Sequence, residues 1–197
     1  MKAVFFDLDG VLVDLVQVHH SSLDSALNLF GYEGLCNTSK FRFNGLPTRT
    51  KLKMIDIPEK DRDKIIKAKQ ELTHIAMNQV LCPDKEKISL LYKLKMYGYN
   101  LACVTNSIRQ TADLALSLSF LDIFMSAVVS NEDIERPKPH PDPYRKAMEM
   151  LGVTTGVAIE DNENGIWSAR DAGLKVIQVS DPSEVNISLI EKIEELT

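Results

Sequence analysis

The chain is poor in what secreted, membrane and nucleic-acid-binding proteins need. Its 197 residues hold three cysteines, Cys36, Cys82 and Cys103. They are odd in number, far apart and form no CxxC pair, which argues against a disulfide framework and for a reducing, cytoplasmic setting. No apolar run nears the roughly 18–20 residues of a membrane span. Asp7, Asp9 and Asp14 interrupt the region where a signal-peptide core would lie. The sequons at Asn37 and Asn186 are therefore read as chance matches. Basic residues are outnumbered, 23 Lys and Arg against 28 Asp and Glu, for a formal charge of −5. A protein held on nucleic acid by phosphate contacts needs the opposite balance. Repeats, low-complexity tracts and Gly/Ser linkers are absent.

What is present is ordinary globular composition, 44% hydrophobic and 26% charged, in a length that suits one domain, or one domain with a large insertion. Short apolar runs alternate with helical patterns. The runs are Ala3–Phe6, Leu101–Val104, Ala127–Val129, Val157–Ile159 and Val176–Val179. Uniformly apolar runs of this length fit strands covered on both faces. Helical patterns follow at 85–97, with Ile88, Leu91, Tyr92 and Lys95 on one face, at 143–151 with Asp142 as N-cap, at 163–172 after Asn162, and at 184–196. The alternation implies an α/β fold with a parallel sheet. Residues 15–81 break the rhythm. They contain no buried-strand pattern, only helical ones at 16–30, 49–56 and 61–80, and a plain loop of that length is improbable. The expected organisation is a core of 1–14 and 82–197 with a helical insertion at 15–81, although these helices packing on the sheet is the alternative.

Four polar clusters follow the apolar runs, where an open parallel sheet binds ligands. The first is Asp7-Leu8-Asp9-Gly10, two acids whose burial calls for a cation or hydrogen-bond network, with Gly10 permitting the bend. A polar turn is the plain alternative. The second is Thr105-Asn106-Ser107, hydroxyls and amides suited to an anion, or simply a helix cap. In the third, prolines flank Lys138 and hold it in place, unless it is a solvated residue on a rigid connector. The fourth is Glu160-Asp161-Asn162, acids suited to a hard cation, or acids favoured by a helix N-terminus. Converging on one sheet edge, the four fit phosphoryl transfer from an anionic ester.

These motifs, in this order, resemble the haloacid dehalogenase superfamily, and within it the helical-cap subgroup to which beta-phosphoglucomutase and phosphoglycolate phosphatase belong. The resemblance implies a Rossmann-like core with an inserted cap. It implies Asp7 as nucleophile, Asp9 as general acid and then base, and Lys138 as the offsetting charge. Thr105, Asn106 and Ser107 would lie against the phosphoryl group. Mg²⁺ would be held by Asp7, Asp9 and Asp161, with Glu160 nearby. The acid at Asp9 favours phosphate chemistry over dehalogenation. In the insertion, Phe43-Asn44-Gly45-Leu46-Pro47-Thr48-Arg49 resembles the loop that faces the site in capped relatives. Gly45 would allow close approach there, and Arg49 or Arg42 would pair an anion, unless Arg49 is a plain surface residue. His19 would contact substrate, or lie on an exposed helix face. The expected activity is hydrolysis of a small-molecule phosphate ester by a monomer or weak dimer without nucleic-acid or membrane partners. A sugar phosphomutase and a catalytically silent binding protein are the alternatives.

Overall fold

In the computed structural model, residues 2–35 and 46–197 are described. Five strands form one parallel sheet: β1 (Ala3–Phe6), β2 (Asn100–Val104), β3 (Ala127–Val129), β4 (Val157–Glu160) and β5 (Lys175–Gln178). Their order is β3-β2-β1-β4-β5. The first strand is thus central, with Val4 paired to Leu101 on one side and Val157 on the other. Strands β1 and β4 are buried throughout, which is why β1, and β4 up to Ile159, read as apolar runs, with Glu160 a buried acid at the end of β4. The fifth strand begins one residue earlier than its apolar run, at Lys175, which pairs with Val157. As an edge strand it exposes Lys175 and Gln178, so it escapes the all-apolar requirement.

The chain forms two units, Met1–Asp14 with Cys82–Thr197, and Leu15–Leu81. In the first, the sheet is joined by α4 (Lys85–Met96), α5 (Arg109–Leu118), α6 (Asp142–Leu151), α7 (Glu163–Asp171) and α8 (Leu189–Leu196). The numbering leaves α1 (Val16–Leu29), α2 (Thr48–Met54) and α3 (Glu59–Val80) to the second unit. Around the sheet, Phe5, Val104, Val129, Tyr144, Ala147 and Ala158 share one core cluster. The helical unit has its own, built on Leu23, Leu27, Leu52 and Ile65. No helix among the described residues is long and apolar enough to cross a membrane.

Three helices depart from the sequence patterns. The buried face of α4 is Lys87, Leu90, Leu91 and Leu94, while Tyr92 and Lys95 face solvent. Burying three leucines gains about 1.5–3 kcal/mol each, whereas the expected stripe holds only Ile88 and Leu91 as aliphatic residues. Asp142 is the first residue of α6, not its cap, and its carboxylate takes two hydrogen bonds from Arg136, at 2.8 and 3.0 Å. The last helix starts at Leu189, because Pro182–Glu184 forms a separate 3₁₀ turn capped by Asp181.

Candidate active site

The site is built on the carboxyl ends of β1, β2 and β4. Past β1, the Asp7 amide donates to Ile159 O at 3.0 Å, which extends the β1–β4 pairing by one residue and fixes the acid at the sheet edge. The chain then folds back on itself. Leu8 O accepts from the amides of Val11, Leu12 and Val13, and the Gly10 amide donates to Val13 O at 2.8 Å. Gly10 sits at φ +89°, a conformation strained for other residues, and a Cβ there would lie 2.2 Å from Asp161 Oδ2. Backbone and neighbour both demand glycine.

Past β2, the Thr105 amide donates to Val129 O at 2.9 Å and the side chain is buried. Its Oγ1 accepts the Ser107 amide at 3.0 Å, and Ser107 Oγ donates to Asp9 Oδ2 at 3.1 Å. The Asn106 carboxamide clasps Lys138, accepting its amide at 3.0 Å and donating to its carbonyl at 3.2 Å. A backbone so held, between Pro137 and Pro139, delivers one ammonium to one place.

Lys138 is buried, which removes the solvated-connector reading. Its Nζ donates to Asp7 Oδ1 at 2.8 Å, Val104 O at 2.8 Å and Glu160 Oε1 at 2.5 Å. Those bonds use all three ammonium donors. Burial alone would lower its pKa, but the carboxylates of Asp7 and Glu160 outweigh burial and hold it above the usual lysine value. The acids move the same way for the opposite reason. Burial pushes Asp7 well above the usual carboxylate range, Lys138 works against that, and Glu160 and Asp161 add repulsion. Burial also raises Glu160, against the pull of Lys138 and Tyr144, and raises Asp161 against its hydrogen bond from Asn162.

Three acids facing one ammonium leave negative charge in a buried place. Asp7, Glu160 and Asp161 each bring one carboxylate oxygen within 4.8 Å of the others. Gly10 clears the way for Asp161, and Gly165, where a Cβ would fall 2.0 Å from Glu160 Oε2, does the same for Glu160. Hard oxygen donors converging in a space kept open by two glycines fit a divalent cation of the Mg²⁺ kind.

The sequence-derived residues thus divide. Asp7, Asp9, Thr105, Asn106, Ser107, Lys138, Glu160 and Asp161 belong to the sheet unit. His19 and Arg49 belong to the helical unit. There His19 Nδ1 lies 2.8 Å from the ammonium of Lys69, which can only donate, so the ring nitrogen accepts. Arg49, in the first turn of α2, pairs with Glu59 at 3.3 Å and also with Asp63. Gly45 lies outside the described residues, as do Arg42, Phe43 and Asn44. Sequence reasoning missed Tyr144, whose hydroxyl donates to Glu160 Oε1 at 2.5 Å. The available signal was a phenol at the start of a strongly amphipathic helix, since a buried hydroxyl needs a partner.

Comparison with known proteins gives this arrangement a family. The profile described as haloacid dehalogenase-like hydrolase matches residues 4–179. The chain belongs to the haloacid dehalogenase-like hydrolases. Its curated relatives include pyrophosphatase PpaX of Bacillus cereus (strain G9842), 31% identical over 182 residues, covering 91% of this chain and 83% of that protein. Among solved structures, beta-phosphoglucomutase from Clostridium difficile is similar with a TM-score of 0.84 at 17% identity, covering 99% of this chain and 97% of that one. CbbY from Rhodobacter sphaeroides, solved in complex with phosphate, is similar with a TM-score of 0.76 at 22% identity, covering 90% of this chain and 85% of that one. These structures share the α/β fold of this chain. The protein is an enzyme of this family, of the phosphatase kind.

Proposed function

We propose that the chain is a Mg²⁺-dependent phosphatase that hydrolyses a small phosphorylated metabolite through an aspartyl-phosphate on Asp7. The observation that carries this reading is the buried Lys138 ammonium on Asp7 Oδ1, 2.8 Å away, with Glu160 and Asp161 completing the acid cluster. A carboxylate attacks a phosphate dianion only when its own charge and that of the phosphate are screened. Lys138 supplies one fixed positive charge and orients the Asp7 carboxylate. Mg²⁺, held by Asp7 and Asp161 with the Asp9 backbone carbonyl and with Glu160 alongside, would supply the rest of the charge neutralisation on the phosphoryl oxygens.

In the first half-reaction an Asp7 oxygen bonds to phosphorus, the ester P–O bond breaks, and Asp9 gives its proton to the leaving oxygen. In the second, Asp9 takes a proton from water as that water bonds to phosphorus, and the Asp7–phosphorus bond breaks. Inorganic phosphate and free Asp7 result. Ser107, donating to Asp9 Oδ2, holds the acid in place through both halves. Thr105 Oγ1 and the Asn106 backbone amide would receive the phosphoryl oxygens. The helical unit, 15–81, would act as the cap that selects the leaving group, with His19, Gly45 and Arg49 as its contact candidates. The name of the PpaX relatives adds inorganic pyrophosphate to the candidate substrates. A cytoplasmic setting belongs to the same reading, supported by the free thiols of Cys82 and Cys103.

The test is phosphate release from a panel of phosphorylated sugars, phosphoglycolate and pyrophosphate, with Mg²⁺ and with chelator. Chelator should abolish release, and Asp7→Asn should lower it by at least about a thousandfold, as removal of a nucleophile does. Release that survives in Asp7→Asn would sink the reading. Interconversion of sugar monophosphates, primed by a bisphosphate and without release, would replace it by a phosphomutase.

A further inference from the structure

Tyr144 lies at the start of α6, fully buried among Phe5, Val104, Ala147 and Ala158. A phenylalanine would fill that space as well, so packing does not explain the hydroxyl. The hydroxyl donates to Glu160 Oε1 at 2.5 Å, the same oxygen that accepts Lys138 Nζ at 2.5 Å. The ring also faces the ammonium, with Nζ 5.0 Å from the ring centroid. The Tyr144 and Phe5 rings meet edge to face, centroids 6.2 Å apart, and Phe5 stands on β1 two residues before Asp7. One side chain therefore touches the lysine by its face and the glutamate by its hydroxyl, and braces both on the strand that carries the nucleophile. Among the described residues Glu160 Oε2 has no hydrogen-bond partner. Oε1 carries the carboxylate's whole load, and without the phenol it keeps a single donor.

We propose that Tyr144 is a positioning residue for the Lys138–Asp7 pair. Its phenol steadies the Glu160 carboxylate, and Glu160 steadies the ammonium against the attacking carboxylate. The kinetic part of this inference rests on the phosphatase reading above. A hydrogen bond to a charged acceptor is among the stronger kinds, and its loss here loosens two ions together.

Tyr144→Phe tests it, because the ring and its packing stay. The expected result is a fall in kcat of about tenfold at nearly constant KM, the size of one charge-assisted hydrogen bond. In the Glu160→Ala background, where the accepting oxygen is gone, the same substitution should change kcat by less than about twofold. A second measurement needs no turnover. Amine acetylation followed by peptide mass spectrometry reads the exposure of Lys138, with Lys87 as control, because both side chains are buried, at 4% and 7% exposure. Tyr144→Phe should raise the labelling rate of Lys138 by about fivefold and leave Lys87 unchanged, the pattern of local rather than global opening. An unchanged kcat in an active enzyme overturns the proposal. So does equal labelling of the two lysines, whether both rise or neither does. Absence of phosphate release by the unsubstituted protein would sink the phosphatase reading, and the labelling result would still decide the role of Tyr144.

Discussion

Each folded unit sets one cation between two acids, and the two arrangements do different things. In the sheet unit Lys138 answers Asp7 and Glu160 with side-chain exposures of 4%, 8% and 0%. In the helical unit Arg49 answers Glu59 and Asp63 with exposures of 45%, 71% and 78%. Water and salt weaken the second set, and holding three long side chains in one geometry costs much of what the pairing gains. Water is kept from the first set, so each charge depends on the others. The lesson is about where charge is informative. An exposed triad joins two helices loosely, whereas a buried one is costly unless every donor is used and so fixes its three groups in one geometry.

Removing the buried cation should have the largest effect. Lys138→Ala leaves two carboxylates facing each other without water, and a loss of about 3–5 kcal/mol is expected in denaturant melts, with turnover lost as well. A variant as stable as the parent would break the contrast between the units. An intermediate case is Lys87 with Asp84, 2.7 Å apart, where the lysine is buried and the acid half-exposed. Asp84 also caps α4, accepting the amides of Glu86 and Lys87. Asp84→Ala should cost about 0.5–2 kcal/mol at neutral pH. Burial pushes the Asp84 carboxyl up, but the Lys87 ammonium and the two amides outweigh it and hold it below its usual 3.8. A folded-state value lower than the unfolded one stabilises above the unfolded pKa and is lost as pH falls through the folded one. The gap between parent and variant should therefore close below about pH 4, and melts across that range check it. Arg49→Ala should have the smallest effect on stability, at most about 1 kcal/mol and less still in high salt. A larger drop in kcat/KM than in stability would sharpen the contrast, because it would show that the exposed triad serves substrate.

Much of this was readable from sequence, and the failures have physical causes. Strands β1 and β3 coincide with their apolar runs, β1 because a central strand of a covered parallel sheet has few polar options. The placement of acids and hydroxyls at strand ends follows from the same alternation, whereas Lys138 reaches them from the connection between β3 and α6. Facing stripes on helices were less legible. Residues three and four apart on α4 offer two overlapping stripes, and only packing on the sheet selects Leu90, Leu91 and Leu94. On α3 the buried stripe includes Lys69 and Thr73, polar residues that no hydropathy pattern assigns to an interior. Tyr144 was invisible for a related reason. Periodicity foretells burial of the ring but not that its hydroxyl meets a carboxylate on another element. Arg49 was legible as a cation, but its pairing with two acids of α3 depends on how α2 and α3 pack.

Because β1 is the middle strand, it waits for neighbours that are made long after it. Val4 can pair with Leu101, and then with Val157, only once those later strands exist. Asp7 is therefore made well before its counter-charge, since Lys138 follows it by 131 positions. A nascent chain halted before that lysine carries Asp7 without its ammonium partner. The order of synthesis thus sets when the acid and its counter-charge can meet.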